Sequence, residues 1–393
     1  MKKKLDRIIG ELKYLLFLFY YNKYYLIILF PLLYLLKLIF SKKKDNKIYL
    51  YINSNNYREI HIAEILSKNQ QVHLIYKKTP IYYSEISQIN CSYSTSKKFF
   101  FNFLVNSSKK IVFVGDSTEA LPFLIFDKNI IISIYDSVIG RGFPNIFEIA
   151  ELLAIKLSRY ILERDLRLHK NYKKIYKINK IKNIYISDKL NIIENPTKLD
   201  DIHAVSLGWI DNDICKIEKT IDFLCSQKIY VHIFSSRKDL FFLCPYLKYQ
   251  KDKFGKFLII EEPIFGKKLL NKISKYHLGI SPHEEYINYS EDINYGKIYL
   301  AKYYEHCSSS RIADFLSCKI INIISKKYRF NDFIIKKYGG ATIYYEELFN
   351  YKDNIREIIK KIPNNNKYIN NFNHFDNKYK TKKLLKFLNF LKN

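Results

Sequence analysis

The chain has 393 residues, 48% of them hydrophobic, which gives room for two domains with sizeable cores and excludes global disorder. Its formal charge of +28 is spread along the sequence with no basic block and no RNA-binding aromatic motif, which argues against a dedicated nucleic-acid binder. Attraction to anionic lipid is the more economical use of that charge, and much of the lysine belongs to a composition rich in Lys, Ile, Asn, Tyr and Phe, with glycine at 11.

The first predicted element is a membrane-associated segment over residues 1–44. Tyr24 to Phe40 is interrupted only by Pro31 and Lys37, Leu15 to Tyr21 is a second apolar run, and lysine triplets at 2–4 and 42–44 bracket both. No small-residue cleavage site follows, so a removable signal peptide is not expected. Six Lys and Arg lie in residues 1–23 and five in 37–47, so positive charge selects no orientation. A spanning helix, a re-entrant segment bent near Pro31 and an interfacial helix all fit this pattern.

From residue 45 the pattern alternates strand and helix. Ile48–Ile52 reads as a strand, Glu59–Lys68 as a helix with Ile60, Ala63, Ile65 and Leu66 inward, and Val72–Tyr76 as a second strand. Ile111–Asp116 and Ile130–Tyr135 are later strands, Asn145–Arg159 a helix and Tyr160–Leu162 a short strand. Near-continuous apolar strands separated by helices predict a parallel sheet covered on both faces, with ligands beyond the strands' carboxyl ends. A turn at Asn195-Pro196 closes this first domain at about residue 197, and the pattern restarts. Ala204–Gly208 is a strand, Lys216–Gln227 a helix, and Tyr230–Phe234 a strand ending in Ser235-Ser236-Arg237. Leu258–Ile260 is a strand, Phe265–Tyr276 a helix, and His277–Ser281 a strand ending in Pro282-His283-Glu284-Glu285. Glu346–Ile362 reads as a helix that closes a second domain over 198–362, and 363–393 reads as an Asn/Lys-rich joint followed by a basic helix.

Between these elements lies the most informative stretch, residues 304–325. Ser308, Ser309 and Ser310 precede a short amphipathic run, Arg311–Ser317, which feeds the β-branched run from Ile320 with almost no gap. This is a loop, a serine-capped helix and a buried strand, and such a helix start is a natural anion site. The six cysteines (Cys91, Cys215, Cys225, Cys244, Cys307, Cys318) have neither CxxC nor metal-ligand spacing and read as ordinary thiols of a reducing compartment.

Taken in order, four pieces resemble the two-domain GT-B glycosyltransferases of the retaining, family-4-like group. They are Ile48–Lys68 as the opening strand and helix, Ile192–Pro196 as the end of the first domain, Leu269–Pro282, and Ser309–Ser325. The resemblance implies an α/β fold of two Rossmann-like domains facing a cleft, here preceded by the hydrophobic segment. It implies a nucleotide-sugar donor as substrate, bound by the second domain, with no cofactor and no obligatory metal. Carried over by position, Ser308, Ser309 and Ser310 hold the diphosphate. Arg311 stands where the family often has Lys, and Asp314 where it often has Glu beside the ribose. Gly208 and Ser235 lie at strand ends near the phosphates, and His283 and Glu285 face the same cleft. The family's Arg-x4-Lys pair is absent: Trp209 to Asp213 is acidic, and another cation must neutralise the leaving diphosphate. Arg237 is the first choice for that cation and Arg311 the second. The family's Gly turn is replaced by Cys318-Lys319-Ile320. Asp136 is the candidate to orient or deprotonate an acceptor hydroxyl, with Asp116 as the competing carboxylate.

The expected activity is that of a hexosyltransferase-like glycosyltransferase, membrane-associated with cytoplasmic catalytic domains. It would move a sugar to a membrane-linked or polysaccharide acceptor in glycan biosynthesis. A non-catalytic GT-B-like scaffold, or another GT-B enzyme such as a sugar-nucleotide epimerase, is the alternative.

Overall fold

The computed structural model describes residues 48–52, 57–76, 89–95, 111–115, 117–126, 130–134, 145–163, 182–185, 192–194, 196–208, 217–235, 240–281, 310–352, 354–362 and 377–392, together with 12–13, 15–16, 18–19, 24–29, 31–32 and 35 of the N-terminal segment. The chain divides into two compact units.

The first unit holds a seven-stranded parallel sheet of β1 (Ile48–Ile52), β2 (Val72–Tyr76), β3 (Ser92–Thr95), β4 (Ile111–Val114), β5 (Ile131–Ile134), β6 (Tyr160–Glu163) and β7 (Lys182–Tyr185). Strand order is β3-β2-β1-β4-β5-β6-β7, so the winding reverses between β1 and β4. Every residue of β1 is buried, as expected for a central strand covered on both faces. Its helices include α1 (Tyr25–Ile28), α2 (Tyr57–Ser67), α3 (Ser117–Phe126) and α4 (Asn145–Leu157). On α2, Ile60, Ala63 and Leu66 pack with Leu50, Leu74 and Phe113 of the sheet. Nearly all of α3 is buried, including Ser117, Thr118 and Glu119 in its first turn, and both α1 and α4 pack on it.

In the second unit six parallel strands, β8 (His203–Leu207), β9 (Tyr230–Phe234), β10 (Leu258–Glu261), β11 (Leu278–Ile280), β12 (Ile321–Ile324) and β13 (Thr342–Tyr344), run in the order β10-β9-β8-β11-β12-β13. The helices used below are α5 (Glu218–Ser226), α6 (Pro245–Phe254), α7 (Gly266–Ile273), α8 (Ser310–Ser317), α9 (Arg329–Lys337) and α10 (Ile355–Lys361). One sheet face, with Ala204, Val231, Ile280 and Ile323, packs against Ile221 and Leu224 of α5 and Ile355 and Ile359 of α10. The other face, with Val205, Leu207 and Phe234, packs against Leu270 and Ile273 of α7 and Phe315 of α8. The winding reverses between β8 and β11, which makes the crevice beyond their carboxyl ends the topological switch point. The last helix, α11 (Asn377–Lys392), belongs with the first unit and inserts Leu384 and Leu388 into its core.

One expected helix, Glu346–Ile362, is broken. Tyr345–Leu348 passes into a 3-10 turn, Phe349–Tyr351, and α10 starts afresh after Asn354, whose backbone has left the helical region (φ −137°). Asparagine beside the joint offers the backbone local hydrogen bonds that compete with a continuous helix. Among the described residues no helix is long and apolar enough to cross a membrane.

Candidate functional site

Strand β8 ends at Gly208, whose φ of +81° is a conformation that favours glycine. Its N–H donates to the Phe234 carbonyl at 2.8 Å, carrying the β8–β9 ladder one residue past the strand. The missing side chain is filled by Arg311: a Cβ at position 208 would lie 3.1 Å from Nη2 and 3.5 Å from Nε. Arg311 Nε donates to the Leu207 carbonyl. Arg311 is the second residue of α8, which enters between β11 and β12, so its guanidinium crosses the switch point to the end of β8.

Helix α8 is held close to the sheet by a second glycine. A Cβ on Gly279 of β11 would fall 2.5 Å from the Phe315 ring, so only glycine lets that ring lie against the strand. Ile312, Phe315 and Leu316 are buried, which leaves Ser310 exposed and Arg311 and Asp314 half-buried at the crevice end. Ser310 and Asp314 are four residues apart and share a helix face. The helix closes on Lys319 at φ +53°, with Ile320 N–H bonded to the Phe315 carbonyl at 2.9 Å and Lys319 N–H to Leu316 at 3.1 Å. That is a Schellman cap in which lysine occupies the glycine position.

Around this frame lie buried hydroxyls. Ser235, 7% exposed, follows β9 directly. Ser206, next to last in β8, and Ser281, just past β11, are buried with hydroxyls that have no hydrogen-bond partner among the described residues. The two do not converge: Ser206 pairs with Ile280 and shares its face of the sheet, and Ser281 follows on the opposite face.

Of the expected site residues the structure therefore brings Gly208 and Arg311 into contact and places Ser310, Asp314 and Ser235 at the same end of the sheet. Asp136, Arg237, His283, Glu285, Ser308 and Ser309 lie outside the described residues, as does Asp116. Among the described residues no group of three His, Cys, Asp or Glu side chains is placed to hold a metal. The sequence puts Ser206 near the phosphates, in the stretch Ser206 to Trp209, whereas Ser281 reads only as the last residue of a strand because nothing local distinguishes a strand-end serine of a site from one of the core.

No protein-family model and no curated protein matches the sequence. Solved structures do. Anabaena HepE in complex with UDP-glucose matches over 87% of this chain and 99% of its own, at 11% identity and a TM-score of 0.62. A glycosyltransferase from Rickettsia africae matches over 89% and 99%, at 13% identity and a TM-score of 0.59. The chain has the GT-B fold. A UDP-GlcNAc 2-epimerase from Methanocaldococcus jannaschii is also similar, over 87% of this chain and 100% of its own, at 13% identity and a TM-score of 0.54.

The GT-B chain carries a second cluster of polar side chains away from the crevice. His203 at the start of β8 bonds through Nδ1 to Nε2 of His232 on β9 at 2.7 Å, and His232 Nδ1 bonds to Glu261 on β10 at 2.7 Å. Lys272 of α7 donates to the other Glu261 oxygen at 2.7 Å. Burial pushes His203 down to about 4 and lowers His232 despite its carboxylate partner, so both rings are neutral at pH 7. Glu261, an acceptor, fixes the His232 tautomer: Nδ1–H donates to the carboxylate, and Nε2 accepts from His203. Burial and then Lys198 push His277 down to about 4; its Nδ1 accepts the His203 backbone N–H at 3.2 Å.

Proposed function

We infer that this chain is a glycosyltransferase that binds a UDP-sugar on its second unit and transfers the sugar to a membrane-linked or polysaccharide acceptor. The observation that carries the reading is Arg311 seated on Gly208 at the switch point. In GT-B enzymes the departing diphosphate needs a cation there, and the loop that usually supplies one is acidic in this sequence. Arg311 brings a planar, permanently charged donor from the neighbouring crossover to the same place. Ser310 and the α8 amides add hydrogen bonds to phosphate oxygens, and Asp314, on the Ser310 face, accepts the ribose hydroxyls. Ser235, His283, Glu285, Ser308 and Ser309 complete the donor site in this reading. Asp136 activates the acceptor hydroxyl, and Arg237 is a further cation at the leaving group. The solved HepE structure with UDP-glucose makes a uridine donor the first to test. The basic-flanked N-terminal segment supports a bilayer-confined acceptor, and the reading sets the catalytic units on the cytoplasmic side.

Titration calorimetry with UDP, UDP-glucose, GDP-mannose and CMP tests the donor site. Arg311→Ala is expected to weaken UDP binding about tenfold or more, the size of a lost charge-assisted hydrogen bond of roughly 1.5–3 kcal/mol. Asp314→Ala is expected to weaken UDP-glucose without unfolding the protein. Folded protein that binds none of these nucleotides would instead favour a non-catalytic scaffold. The epimerase-like structure supports a second reading, which product analysis separates: free UDP with a glycosylated acceptor, or an epimeric UDP-sugar without UDP release.

A further inference from the structure

Helix α4 turns an apolar stripe to solvent. Ile149 and Leu153, four residues apart, are 51% and 46% exposed, while Ala150, Ala154 and Ile155 face inward and are buried. Lys156 and Arg159 are exposed at the end of the same stripe. A water-facing helix surface ordinarily carries polar residues there. The N-terminal segment shows the same division. Leu18 is fully buried, and Tyr24 donates its hydroxyl to the Thr118 carbonyl of α3 at 2.9 Å, so the segment is fastened to the first unit. Yet Leu16, Ile28, Leu32 and Leu35 are 53–70% exposed. Segment and α4 both pack on α3.

We propose that α4 is a second membrane contact, so that the first unit is seated in the plane of an anionic bilayer by α4 and the N-terminal segment together. The proposal rests on the membrane reading given above and adds a surface to it. The choice of lipid as occupant follows from charge: exposed Lys13, Lys156 and Arg159 accompany the exposed apolar side chains, in a chain of net charge +28. Leucines that enter the acyl boundary beside lysines that meet phosphate headgroups make an interfacial attachment. Neither surface needs to span the bilayer.

The test is co-sedimentation of the full chain with vesicles of equimolar phosphatidylglycerol and phosphatidylcholine, wild type against Ile149→Gln/Leu153→Gln. Thermal melts establish that the variant is folded. Removing two half-exposed aliphatic contacts is expected to lower vesicle partitioning about tenfold. In a Trp209→Phe background, Leu153→Trp should show blue-shifted emission that brominated lipid quenches. Wild type that binds while the glutamine variant binds equally well and the new tryptophan is not quenched overturns the α4 contact and leaves the N-terminal reading standing. Wild type that ignores anionic vesicles overturns both. A wild-type dimer that the glutamine variant turns into a monomer, with vesicle binding unchanged, shows instead that this face meets a second copy of the chain.

Discussion

Lysine does the work of glycine at two helix ends. Lys228 after α5 (φ +56°) and Lys319 after α8 (φ +53°) both occupy the left-handed position of a Schellman cap. In each, the following N–H reaches back five residues, Ile229 to Leu224 at 3.0 Å and Ile320 to Phe315 at 2.9 Å. Gly339 holds the same position after α9, at φ +71°. Gly279 stands where a side chain cannot fit, under Phe315, and Gly208 where one would crowd the Arg311 guanidinium, while the two tight turns after α5 and α8 are left to lysine. A non-glycine residue in this conformation costs about 1 kcal/mol, partly offset by the larger unfolded-state entropy of glycine. Lys228→Gly and Lys319→Gly should therefore each stabilise the second unit by roughly 0.5–1 kcal/mol in urea denaturation. An unchanged or lower midpoint would show that the lysine aliphatic stems contribute more than the strain costs. Part of this site was legible in the sequence. The serine-led helix and its feed into a strand announced α8, and the acidic loop after Gly208 announced the need for a cation from elsewhere. That Arg311 meets Gly208 was not legible, because the two are 103 positions apart and the approach depends on a missing side chain.

The histidine relay belongs to the scale of elements, since it runs diagonally across three strands. Tyr276 closes it from the far side, its ring stacked on His232 with centroids 4.4 Å apart. Each of His203, His232 and His277 has its folded pKa pushed below the unfolded value of about 6.5, so the folded state resists protonation that the unfolded state accepts. Their stabilisation is complete above that value and is lost as pH falls below it, towards about 4 for His203 and His277. The urea midpoint of the second unit should drop steadily between pH 7 and pH 5. His277→Asn, which keeps an acceptor for the His203 N–H but cannot titrate, should flatten that slope; an unaltered slope would place the acid sensitivity elsewhere. Strands of this unit were readable as apolar runs, yet α6, α9 and β13 were not anticipated. Helix α6 has only Leu247 and Gln250 fully inward, and β13 is three residues long, so neither leaves a periodic signal. The first unit's α3 was missed for the opposite reason: it is apolar nearly all round and holds Pro122, so no polar face marks its period.

At the scale of the whole molecule, the C-terminal helix does not end the unit that precedes it in sequence. Helix α11 packs on α2, buries Leu384 and Leu388 completely, and sets the Phe387 ring edge-on to Tyr160 of β6 at 5.9 Å. Its sequence shows Leu384, Leu385 and Leu388 among lysines, which reads as an amphipathic helix but names no partner, because the cover it provides is for a sheet that ends at Tyr185. A unit whose core is completed by Leu384 and Leu388 cannot reach its final stability until those late residues have been synthesised. Leu384→Ala and Leu388→Ala should each cost the first unit about 2–5 kcal/mol, the range for a leucine removed from a closed core. Amide hydrogen exchange would localise the loss: faster exchange in β1, β2 and α2, and unchanged protection in β8, β9 and β11. UDP affinity should be unchanged, since Gly208, Arg311 and Asp314 all lie in the second unit. Equal loss of protection in both sheets would mean instead that the two units unfold as one.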